Sequence, residues 1–138
     1  MGTYYLQTLQ LDPAVLLPAS SCGFFATAVL NINNIRDIGS DALAGKRSIP
    51  VRIGPVKARV YHLALLVGGL LTAVVFVLLR FESYWQFLFL LVLPLLLRNG
   101  ASVWRLRTPA QLDPYLKQMA LSTMLFVLLF GIGHLLAR

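Results

Sequence analysis

The stretch VYHLALLVGGLLTAVVFVLL at residues 60–79 decides the fold. It runs its whole length without a charge, and at about 1.5 Å of rise per residue it matches a hydrocarbon core about 30 Å thick. It lacks the alternating polarity of a strand and exceeds strand length. Working outward, residues 13–35, 83–97 and 118–137 are also free of charge. The 83–97 run is short, but Phe81 and Trp85 extend it into an interfacial rim where aromatic rings settle. The expected fold is all-α, a multi-pass transmembrane helical bundle. Four helices are placed at about 13–33, 60–79, 82–98 and 118–137 in a single membrane domain, 1–138, with loops 34–59 and 99–117. Pro18 and Pro94 are expected to kink the first and third helices.

Composition agrees. Of 138 residues, 58% are hydrophobic and 12% charged, against about 25% charged in a soluble domain. Mean hydropathy is +0.76. A water-soluble domain and a disordered chain are both excluded. The net charge of +7 does not point to nucleic acid. In so apolar a chain, Lys and Arg face membrane phosphates and set topology. The lone Cys22 makes no internal disulfide and no CxxC zinc site. The opening MGTYYLQTLQL has no basic n-region, so no cleavable signal peptide is expected.

The basic residues give direction. Arg36, Lys46, Arg47, Arg52, Lys57 and Arg59 follow the first helix, and Arg98, Arg105, Arg107 and Lys117 follow the third. Only Arg80 and Arg138 fall on the other side. The positive-inside rule makes the two rich loops cytoplasmic and puts both termini outside.

The chemistry is expected in the first of these loops. Asp37 and Asp41 are four apart, and Asn33 stands four before Asp37. On a continuing helix these three share one face. Carboxylate and amide oxygens are hard ligands that suit Mg²⁺, which keeps several waters and is commonly shared with substrate phosphates. Gly45-Lys46-Arg47 and then Arg52 supply cations for outer phosphate oxygens. Loop charges beside a membrane helix are ordinarily solvated topology markers. Here Asn31, Asn33 and Asn34 also crowd the end of an apolar helix, where amides are costly unless paired or functional.

The string NINNIRDIGSDALAGKRSIPVRIG at 31–54 carries a resemblance. N-x-x-x-D-x-x-x-D, followed by G-K-R and V-R-x-G, resembles the second aspartate-rich motif of UbiA-type intramembrane prenyltransferases. The wording LNINNIRDI at 30–38 is similar to the branch that prenylates 1,4-dihydroxy-2-naphthoate for menaquinone. Leu6-Gln7-Thr8 and Val60-Tyr61-His62 fit that branch as well. The resemblance implies the C-terminal half of a nine-helix enzyme of a bacterial inner membrane, with the site loops cytoplasmic. It implies Mg²⁺-dependent transfer from polyprenyl diphosphate to 1,4-dihydroxy-2-naphthoate, with loss of CO₂, giving demethylmenaquinone. By position, Asp37 and Asp41 are the metal-bridging catalytic carboxylates, Asn33 and Asn34 support the metal, and Lys46, Arg47, Arg36 and Arg52 hold diphosphate. His62 is a weaker candidate for substrate contact. The family carries two aspartate motifs and this chain one, so an N-terminal half is expected as a partner.

Three other readings stand beside this one. They are a prenyltransferase with another aromatic acceptor, a non-catalytic membrane fragment, and a small multidrug exporter. The exporter needs an acid inside the membrane, and no Asp or Glu lies mid-span.

Overall fold

The computed structural model describes residues 2–137; Met1, and Arg138 with its expected place on the far side, lie outside the described residues. Four helical segments are long and apolar enough to cross a membrane: Pro13–Arg36, Ile49–Leu79, Tyr84–Arg105 and Pro109–Leu136. The chain is a multi-pass membrane protein with an all-α fold, and no strand occurs among the described residues.

Helix α1 spans Gly2–Thr8, and Asp12 then opens the first long segment. Its Oδ1 accepts from the Ala14 N–H at 2.9 Å, and Pro13 takes the first position of a 3₁₀ turn, where a missing N–H costs nothing. Helix α2 follows over Leu16–Arg36. Pro18 falls in its first turn, where no i−4 carbonyl waits for a donor, so the kink expected there does not arise.

A short helix, α3, covers Ile38–Leu43, and α4 covers Ile49–Leu79. The span expected from residue 60 thus begins at Ile49, and much of the 34–59 interval is helical rather than loop. Charge does not oppose a helix outside the hydrocarbon layer. The real interruption is Gly54, at φ 81° and ψ 164°, followed by Pro55. That backbone region is open only to glycine.

The third segment is a 3₁₀ helix at Tyr84–Val92 running into α5, Leu93–Arg105. The 3₁₀ rise of about 2.0 Å per residue stretches a short apolar run. Pro94 starts the α-helical part instead of bending a longer one, and α5 continues past Arg98, its expected end. Gln86 ties the preceding turn. Its Oε1 accepts from the N–H of Glu82 at 2.8 Å and of Ser83 at 3.3 Å, and its Nε2 donates to the Arg80 carbonyl at 3.0 Å. Helix α6, Asp113–Leu136, follows a 3₁₀ turn at Pro109–Leu112.

Helices α2 and α4 lie along each other, and α6 packs on α2, on α5 and on the 3₁₀ segment. Phe126 of α6 meets Phe25 of α2 edge-on at 4.8 Å and Phe89 at 5.6 Å between ring centroids. All three rings are buried. Small residues permit this closeness. Ser21 Oγ donates to the Gly69 carbonyl at 2.7 Å. A methyl added at Gly69 would stand 2.6 Å from the Phe25 ring. Outward-facing Val67, Leu71, Leu78, Met124 and Leu128 give the exterior the apolar surface a bilayer requires.

Gly133 supplies a paired test. A Cβ there would lie 2.5 Å from the Trp85 carbonyl oxygen, whereas one at Gly131 would meet nothing within 4 Å. Gly133→Ala is expected to destabilise the bundle by about 1–3 kcal/mol through overpacking against backbone. Gly131→Ala is expected to be neutral or slightly stabilising. Thermal unfolding of both variants in detergent checks this.

Candidate active site

The end of α2 gathers the polar residues singled out in the sequence. The Asp37 N–H bonds the Asn33 carbonyl at 3.0 Å, and the Asp41 N–H bonds the Asp37 carbonyl at 2.8 Å. The i to i+4 ladder therefore crosses from α2 into α3, although Asp37, at φ −95° and ψ 10°, separates the two helices. Asn33, Asp37 and Asp41 are held in succession by that ladder.

Helix α3 ends in a glycine turn that aims a cation back at its own acid. Gly45 takes φ 71°, a left-handed value that suits glycine. The Lys46 N–H reaches the Asp41 carbonyl at 2.8 Å and the Gly45 N–H reaches the Ala42 carbonyl at 3.2 Å. This fold-back brings Lys46 Nζ to 3.0 Å from Asp41 Oδ2 and 3.2 Å from Oδ1. The spacing Asp41 to Gly45-Lys46 is thus the spacing of a helix stop plus an ion pair. Asp41 is buried, with its Lys46 partner more open to solvent.

Arg36 grips the other acid. Its Nε donates to Asp37 Oδ1 at 2.8 Å and its Nη2 to Asp37 Oδ2 at 3.0 Å. Nη2 also donates to Asn33 Oδ1 at 2.8 Å, and Nη1 donates to Asp113 Oδ1, at the start of α6, at 2.7 Å. These Arg36 bonds hold the Asp37 carboxyl below its usual pKa; partial burial opposes the shift, and the charges of Arg36 and Lys46 add to it. Asn34 Oδ1 is buried and accepts no hydrogen bond. Arg47 and Arg52 are exposed.

The structure brings Asn33, Arg36, Asp37, Asp41 and Lys46 together through these contacts. His62 is fully buried where α4 meets α5, and its Nε2–H donates to Asn99 Oδ1 at 3.0 Å. Asn99 Nδ2 in turn donates to the Tyr115 carbonyl at 2.9 Å and to Gln118 Oε1 at 3.3 Å. His62 thus belongs to a polar relay that ties α4, α5 and α6.

Two residues escaped the sequence reading. Asp113 was one acid among five, with no spacing to connect it to Asp37. Arg59 looked like a loop cation, yet it is buried and caps the end of α5. It donates to the carbonyls of Val103 at 3.0 Å, Leu106 at 3.0 Å and Pro55 at 2.9 Å. Arginine favours such helix C-terminal carbonyls. Only the turn at Gly54-Pro55 hints at it in the sequence.

An open furrow of about 920 Å³ runs between α2 and α6. Ala26, Val29, Leu30, Leu116 and Ala120 make its apolar walls, and Asn33, Asp113 and Lys117 stand at its polar end. Among the described residues, no three His, Cys, Asp or Glu side chains converge as a metal site. The carboxylates of Asp37 and Asp41, with the amide oxygens of Asn33 and Asn34, are nonetheless hard oxygen donors of the kind Mg²⁺ takes. The unpartnered, buried Asn34 Oδ1 fits such a role.

Fold and site together define an integral membrane protein with a charged, oxygen-rich cluster where an apolar furrow meets the helix ends. The chain belongs to the UbiA prenyltransferase family, whose model matches residues 1–126. It is 46% identical over 138 residues to a protein of Escherichia coli (strain K12) named 1,4-dihydroxy-2-naphthoate octaprenyltransferase, covering 100% of this chain and 45% of that protein. A Haemophilus influenzae protein of the same name is 44% identical over 135 residues, covering 98% of this chain and 44% of its own length. One from Mycobacterium tuberculosis is 36% identical over 129 residues, covering 93% and 43%. The chain thus spans less than half the length of these curated relatives. No solved structure matches it significantly.

The lowered pKa of Asp37 yields a prediction. Its ion pair stabilises the fold fully above the ordinary aspartate value of about 3.9, and that contribution is lost as pH falls through the depressed value. The stability gap between wild type and Asp37→Asn is therefore expected to be constant near neutrality and to shrink only in that acidic window. Unfolding in detergent across a pH series measures it.

Proposed function

We propose that this chain is the C-terminal part of an enzyme that transfers a polyprenyl group from polyprenyl diphosphate to 1,4-dihydroxy-2-naphthoate, with loss of CO₂, to give demethylmenaquinone. The observation that carries the reading is the 46% identity along the whole chain to a relative named for octaprenyl transfer to that acceptor. The cluster at the end of α2 is the part of the chain suited to a diphosphate.

In this reading Asp37 and Asp41, supported by Asn33 and Asn34, hold Mg²⁺. Bound there, Mg²⁺ supplies positive charge to the diphosphate as a leaving group. Lys46, Arg47, Arg52 and Arg36 hold the outer phosphate oxygens, the arginines by a planar fork and Lys46 as a point charge. As the allylic C–O bond breaks, these fixed cations stabilise the charge growing on the diphosphate. The apolar walls of the furrow between α2 and α6 suit the apolar tail. His62, fixed by Asn99, orients the helices behind the site rather than meeting the headgroup. In this reading the acid cluster faces the cytoplasm of a bacterial inner membrane, because ten of the twelve basic residues lie between the first and second or between the third and fourth charge-free runs. A further segment of protein supplies the second acid motif and the rest of the acceptor pocket.

The test uses the whole protein that carries this chain, expressed in a bacterium that cannot make menaquinone. Wild type is expected to restore the quinone. Asp37→Asn and Asp41→Asn, at equal protein level, are expected to lower prenyl transfer in isolated membranes by about a hundredfold or more. Undiminished transfer in both variants would remove the metal and catalytic roles. Transfer to a different aromatic acceptor, with none to the naphthoate, would retain the chemistry and replace the substrate.

A further inference from the structure

Arg36 is the most heavily engaged cation of the cluster, and its partners are the residues assigned to the metal. It occupies both oxygens of Asp37 and the side-chain oxygen of Asn33. Each of those oxygens keeps a further lone pair, but a divalent ion that approaches Asp37 from the side the guanidinium fork occupies competes with it. The fourth contact leads away from the site, to Asp113 Oδ1 at 2.7 Å. The Asp113 side chain is 57% exposed, against 29% for Asp37. Asp113 is therefore an anchor on a different helix, on the solvent side of the same guanidinium.

We infer that Arg36 is a built-in competitor cation for Asp37 and Asn33, and that Asp113 is a positioning residue that retains the guanidinium when a divalent ion displaces it. The inference rests on the proposed metal role of Asp37. The exchange breaks two hydrogen bonds to Asp37 and one to Asn33 and leaves the one to Asp113. The carboxylate is never left without a counter-charge, since the guanidinium holds it until the ion arrives. Both acids stay near a positive group throughout, which matters beside a low-dielectric layer. Asp113 also begins α6, which forms one wall of the furrow. Loading of the site is thus read directly by the helix that flanks the apolar tail.

The arrangement gives the two partners of one ion pair opposite effects. Removing Arg36 removes the competitor. Removing Asp113 removes the place that the displaced guanidinium goes to, so Arg36 stays on Asp37. A merely structural bridge would respond in the same direction to loss of either end.

The experiment measures Mn²⁺ binding alone, by electron paramagnetic resonance, on the whole purified protein carrying this chain, without diphosphate. Arg36→Gln is expected to bind Mn²⁺ roughly tenfold more tightly, as suits release of charge-assisted bonds. Asp113→Asn is expected to bind it several-fold more weakly. The double variant is expected to match Arg36→Gln, because Asp113 acts only through Arg36. Arg36→Lys, which keeps the charge and loses the fork, is expected to fall between wild type and Arg36→Gln. Weaker or unchanged binding in both Arg36 variants overturns the competition. A double variant weaker than Arg36→Gln alone overturns the positioning role and makes Asp113 a ligand in its own right. Asp37→Asn separates the two layers of argument. If it binds Mn²⁺ as wild type does, the metal assignment itself fails, whatever Arg36 does.

Discussion

Two carboxylates stand where a transmembrane helix leaves the apolar layer, and the surrounding chemistry answers the cost of keeping them charged there. An unpaired ion near low dielectric is expensive, so each acid has a cation of its own within salt-bridge distance. Arg36 meets Asp37 from the last turn of α2, and Lys46 meets Asp41 from beyond the glycine stop of α3. Each ion pair is assembled from residues close in sequence, so the local backbone sets its geometry. The glycine turn at Gly45 is therefore an electrostatic device as much as a topological one.

Distant packing then fixes where that local unit sits. Ser21 and Gly69 let α2 and α4 approach to the point where the Phe25 ring fills the space a side chain would need. Higher in the same pair, Asn31 Nδ2 donates to the Ala58 carbonyl at 3.0 Å. The amide that looked costly at the end of an apolar helix thus pins α2 to α4 just before the acid motif begins. Arg36 adds the third direction by reaching α6. The cluster is set by one close helix pair and one long-range charge contact.

Much of this was legible in the residues. Charge-free runs announced four apolar helices, because a bilayer demands length and apolarity together. Asp37, Asp41 and Lys46 announced one cluster, because i to i+4 spacing and a following glycine are local rules. What could not be read was whatever depends on another helix. The acid–base pairing of Arg36 with Asp113 joins residues far apart in sequence, and no periodicity connects them. The capping role of Arg59 depends on where α5 ends, which itself depends on the 3₁₀ stretch at Tyr84–Val92. Charge also misled the boundaries. Arg52, Lys57 and Arg59 suggested loop, whereas the backbone is helical on both sides of Gly54.

The polar groups of the chain divide by what they can exchange. Inside the bundle, His62 bonds Asn99, and Asn99 bonds Gln118 and the Tyr115 carbonyl, so each of these groups is held by a neighbouring helix. Arg59 is likewise committed, since three carbonyl oxygens share its guanidinium. At the helix ends, the pairs of Arg36 and Lys46 are charge-assisted but partly open to solvent, where an incoming ion or phosphate can substitute for either partner. The relay ties α4, α5 and α6 together beneath the ionic pairs. The ionic partners at the helix ends are thus separate from the bonds that pack the apolar helices beneath them.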